Sequence, residues 1–93
     1  MSMFAAHFRE HVVPTLKQTA QVAAYNVMHG LFEWDHALQA VFSKARTRGA
    51  YSLPEDAFRA LEDWIDYTIL ATITDIERDP GVGQRIMDEF LGW

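Results

Sequence analysis

The sequence predicts an all-α fold: a helical hairpin or bundle with short N- and C-terminal helices, closed as a homodimeric bundle. Three observations predict it. Apolar residues recur every three or four positions along residues 14–48, they do so again along 53–79, and the helix over 53–79 then loses its polar side. Helical period with an apolar stripe marks an element that packs on one face. A segment apolar on every side must be covered on every side. At 93 residues the chain is read as one domain, 1–93, and a core of that size gains from association.

Met3 to Val12 reads as a short helix with Phe4, Phe8 and Val12 on one side. Pro14 suits the first turn of a new helix, where its missing N–H costs nothing. The stripe then runs Leu16, Ala20, Ala23, Val27, Leu31, Trp34, Leu38, Val41 and Ala45. Gly30 admits two readings, a left-handed helix end after His29 or an interior glycine. The stripe keeps its phase across Gly30, which favours one continuous helix spanning about 50 Å at about 1.5 Å per residue.

Arg48 to Tyr51 is a loop. Ser52-Leu53-Pro54-Glu55 reads as a capping box opening the next helix, with Ser52 bonding a first-turn N–H and Glu55 reaching back. Leu53, Ala57, Leu61, Trp64, Ile65, Thr68 and Thr72 follow at helical spacing. Tyr67 to Thr74 carries no charge and is the segment expected to need cover all round. Asp79 reads as the N-cap and Pro80 as the first residue of a tail helix carrying Ile86, Met87, Phe90 and Leu91, with Trp93 docked on the body.

There is no cysteine, which excludes disulfides and thiolate chemistry and fits a cytoplasmic protein. No signal peptide or membrane-length apolar run is visible, so neither secretion nor a membrane partner is expected. The net charge of −5 is uneven. Arg9, Lys17, Lys44, Arg46 and Arg48 outweigh Glu10, Glu33 and Asp35 in residues 1–50, whereas residues 51–93 hold ten acids against Arg59, Arg78 and Arg85. Lys44, Arg46 and Arg48 fit cations near a helix C-terminus. Direct nucleic-acid binding needs a broader basic face and is not expected.

Few residues offer chemistry. His29, Glu33 and His36 fall within an arc of about 60° on a continuous helix, and Glu33 and His36 have the Glu-x-x-His spacing of ferritin-like di-iron proteins. They form the candidate metal set, although they point away from the apolar stripe, and no cofactor is expected. His7 and His11 could chelate an ion as a pair, but two ligands rarely fix a metal. Glu62, Asp63 and Asp66 lie beside Trp64 and Tyr67, with Arg59 three and four positions before the first two, the spacing of helix-surface ion pairs. No nucleophile elbow or phosphate-binding loop is present; Gly81-Val82-Gly83 lacks the strand and the lysine. Among the aromatic residues, Phe32 leaves the stripe and Tyr51 sits in a loop, so both are candidate interface anchors.

The spacing of Asp35, Leu38, Val41 and Lys44, then Tyr51 and Leu53, Asp66 and Asp79-Pro80, resembles that of the small haemolysin-expression modulators, helical proteins that bind nucleoid-associated partners. That family's basic N-terminal segment is absent, and its Ala-Asp-His-Arg run is replaced by Asp63-Trp64-Ile65-Asp66-Tyr67, so the resemblance transfers no function. The residues themselves lead to a non-enzymatic protein-interaction module, a regulator, adaptor or inhibitor of the sort carried by phages and mobile elements. Its expected partner is a protein with a basic surface, bound through Phe32, Tyr51, Glu62, Asp63 and Asp66. The alternatives are a metal-binding bundle using His29, Glu33 and His36, and a structural assembly subunit.

Overall fold

A computed structural model describes residues 3–92; Trp93 and its expected docking lie outside them. Every element is helical and no strand occurs among the described residues. The chain forms α1 (Met3–His7), a π-helical turn (Phe8–Val12), α2 (Val13–Met28), α3 (Trp34–Thr47), a 3-10 turn (Ala50–Ser52), α4 (Glu55–Arg78) and α5 (Pro80–Leu91). The all-α class and the helical bundle are as the sequence predicts.

The N-terminal helix is not separate from α2. His7, Val12 and Val13 all keep right-handed helical angles, so the chain runs on through the π turn. Within that turn Val13 N–H donates to the Phe8 carbonyl, five residues back. The turn stands directly before Pro14, whose ring would press on the carbonyl four residues behind it in a regular helix. Widening the helix for one turn relieves that crowding. It also leaves Phe8 and Val12 buried in the core.

The continuous helix expected across Gly30 is absent. α2 stops at Met28, and Gly30 takes a left-handed φ of 71°. Gly30 N–H bonds the Val27 carbonyl and Leu31 N–H bonds the Asn26 carbonyl, at 3.1 and 2.9 Å. This is a Schellman ending, which satisfies carbonyls the helix would otherwise leave open. Glu33 is extended, and α3 folds back along α2. The stripe keeps phase because each helix separately presents a face to the same core, and Leu31, its member within the break, is 70% exposed. The long first arm therefore does not exist, and the molecule measures 39 × 27 × 21 Å.

The Ser52 capping box is also absent. Ser52 belongs to the 3-10 turn, α4 begins at Glu55, and the residue at its cap position, Pro54, offers no side-chain bond. The cap expected at Asp79 does form: its side chain accepts from Gly81 N–H at 3.0 Å.

α2 lies at the centre, in contact with α3, α4 and α5. Its inward residues are Leu16, Ala20, Ala23 and Ala24, facing Ala37, Val41 and Ala45 of α3 and Leu61, Ile65 and Ile69 of α4. Alanines at these positions let backbones approach closely. α2 and α4 run the same way, since Val13 shares a groove with Trp64 and Tyr25 lies with Ile76 at the other end. α5 returns along α2, starting where Gly83 meets the Tyr25 ring. The buried hydroxyl of Thr72 donates to the Thr68 carbonyl at 2.7 Å. Among the described residues no helix is long and apolar enough to cross a membrane.

Candidate functional site

The expectation that Tyr67–Thr74 is covered on every side fails for the single chain. Ile69, Thr68 and Thr72 are buried, but Tyr67 is 69% and Leu70 56% exposed. Three helices surround α2, and among the described residues none is left to cover the outer side of α4. Exposed large apolar side chains grouped on one face mark interaction surfaces.

The acids expected to bind a partner flank these two side chains. Glu62, Asp63 and Asp66 are all exposed on α4. Asp63 lies four residues before Tyr67, and Asp66 four before Leu70, so these two acids each stand one turn from an apolar side chain, while Glu62 lies one turn before Asp66. Arg59 does not neutralise them: its guanidinium turns back to Glu55 at 2.6 Å instead of pairing with Glu62 or Asp63. Among the described residues no cation comes within ion-pair distance of Glu62, Asp63 or Asp66.

Beside this face a groove of about 530 Å³ opens between the N-terminal segment and the first half of α4. Phe8, Val13 and Ala5 form one wall, with Arg9 as its charged residue, and Ala57, Ala60, Leu61 and Trp64 form the other, with Leu53 also in the lining. Ala57, Ala60, Trp64, Tyr67 and Ala71 follow one another in steps of three, four, three and four. That is the spacing of a coiled-coil seam. The groove and the exposed Tyr67 are thus parts of one apolar track along α4. Sequence reasoning missed this second stripe because the stripe through Leu61, Ile65 and Thr68 is adjacent and reaches the core. The signal was present in the 3-4 spacing.

The other candidates are dispersed. Tyr51 is 74% exposed in the 3-10 turn. Phe32 is half-buried at the opposite end of α3, where it shares a groove of about 420 Å³ with Phe90 and Lys44 and its ring stands 5.8 Å from that of His36. The length of α3, about 21 Å for its 14 residues, separates these two aromatics. Phe32 therefore does not join the acidic face.

His29, Glu33 and His36 do not share a helix. His29 closes α2 and Glu33 precedes α3, so the arc they would share on an unbroken helix is lost. His29 stacks on Tyr25, with ring centroids 4.2 Å apart. Among the described residues no three His, Cys, Asp or Glu side chains gather as a metal site. His7 and His11 stack on each other at 4.6 Å and stay exposed. Lys44 and Arg46 occupy the last turn of α3 and Arg48 caps it, the arrangement that suits a helix dipole.

No known protein family, curated protein or solved structure matches this chain.

Proposed function

We propose that the protein is a non-enzymatic interaction module that acts by docking another protein on the outer face of α4. One observation carries this reading: Tyr67 and Leu70 stand exposed one turn apart on the helix that carries Glu62, Asp63 and Asp66, exposed acids that pair with no cation among the described residues. An aromatic and a leucine with charged residues at the rim is the composition of an interface core. A regulator, adaptor or inhibitor needs no more than such a face.

The test is affinity capture from cells of the organism that encodes the protein. Wild type is compared with Glu62→Lys/Asp63→Lys/Asp66→Lys and, separately, with Leu70→Ser. These positions are exposed, so the folds should survive, and circular dichroism checks that they do. Captured proteins should be lost from both variants. Retention of every captured protein by both sinks the reading.

The homodimeric bundle is the second reading, and the same exposed pair supports it. Charge weighs against an α4–α4 pairing. A two-fold antiparallel contact centred on Leu70 would set Asp63 of one copy against Glu77 of the other, and like charges across an interface are costly.

A further inference from the structure

We infer that the partner of this surface is a basic amphipathic helix of about four turns, seated along the seam from Ala57 to Ala71. The inference rests on the docking face proposed above and adds the shape and charge of what binds there.

Shape comes from the seam. Its 3-4 spacing matches the a and d positions into which a second helix inserts its knobs. Between Ala57 and Ala71 the seam extends about 21 Å, at about 1.5 Å per residue. The groove half of it has two helical walls, and the α4 wall carries the small side chains Ala57 and Ala60. A helix laid there would meet Phe8 and Trp64 first and pass over Tyr67 beyond the groove. No strand occurs among the described residues, so no sheet edge offers the alternative of strand addition.

Charge comes from the flank. Asp56 and Asp63 flank the solvent side of the seam and Asp66 lies one row further round on the same side, all exposed and none paired with a cation among the described residues. Lysines or arginines on one side of the incoming helix would meet them. Arg9 stands on the opposite wall and selects against a cation there, which fixes which way round the helix lies. Among the described residues the chain offers no such helix of its own. Its cations Lys44, Arg46 and Arg48 cluster at the end of α3, and the exposed Phe90 and Leu91 of α5 follow Asp88 and Glu89. A second copy therefore does not supply the complement.

Two synthetic peptides of about sixteen residues test this, one with leucine at heptad a and d positions and lysine elsewhere, the other with glutamate in place of lysine. Each is titrated into isotope-labelled full-length protein and followed by NMR. The lysine peptide should bind and shift the amides of Ala57, Ala60, Trp64 and Tyr67. Ala60→Glu, at an exposed position within the groove, should weaken it by about tenfold or more, since it places a charge where leucines must dry the surface. Asp63→Lys/Asp66→Lys should weaken it similarly and independently of any effect of Ala60→Glu on folding. Equal binding of the two peptides would overturn the basic character while leaving the docking face of α4 intact. Shifts confined to other helices, or no binding, would overturn the helix-in-groove placement. Loss of captured proteins in the cell experiment would still stand apart from either result.

Discussion

At the residue scale, Asp79 and Ser52 show why a cap is a matter of geometry and not of residue type. Both precede a helix, and both have a side-chain oxygen. Asp79 is extended and its carboxylate reaches Gly81 N–H. Ser52 is held in a 3-10 turn three residues before α4, because Pro54 cannot enter the helix with its ψ of 152° and displaces the start to Glu55. Asp79→Ala should lower stability by about 1 kcal/mol, whereas Ser52→Ala should change it by less than about 0.5 kcal/mol. Chemical denaturation of the two variants measures the difference, and equal losses would restore the capping box. The candidate acids were legible as residues, since exposure of Glu62, Asp63 and Asp66 follows from their helical phase. That no described cation pairs with them was not. Arg59 can reach backward or forward by one turn, and only the folded surface shows that it chooses Glu55.

At the element scale, helix identity was legible and helix extent was less so. α4 and α5 fall close to where periodicity and the Asp79-Pro80 signal place them. Gly30 is the failure, and it has a physical cause. Phase continuity tests whether two segments face a common core, and a five-residue reversal from His29 to Glu33 preserves it as well as an unbroken helix does. The Schellman bonds at Asn26 and Val27 depend on backbone atoms that leave no mark on residue type. The docking of α5 depends on another glycine. A Cβ built at Gly83 would lie 3.3 Å from the Tyr25 ring and 3.6 Å from Ile76, closer than comfortable packing on the ring side. Gly83→Val should push α5 off α2, with a loss of about 1–3 kcal/mol. Hydrogen exchange should accelerate along residues 80–91 more than along α3; uniform acceleration would mean that α5 is not a separable layer.

At the scale of the whole molecule, the open side of α4 follows from placing α2 in the middle. A single central helix can be wrapped by α3, α4 and α5 without those three closing round one another. The sequence shows that residues 67–74 are apolar, but it cannot show on which side the chain runs out of elements. Light scattering reads the result directly. A mass near 10.7 kDa at micromolar concentration is the expectation for a chain whose acidic face repels its own copies. Twice that mass, abolished by Leu70→Ser, would favour the homodimer, and a large oligomer would favour an assembly subunit.

The wide turn ahead of Pro14 has a consequence for this open side. One surplus residue in a helical turn changes azimuth by about 100°, as an insertion would. Were residues 8–12 wound as ordinary α-helix, the segment carrying Ala5 and Arg9 would be swung round its axis and would present different side chains to Trp64. A proline on α2 thus acts as the set-screw for the far wall of a cleft to which it contributes no atom.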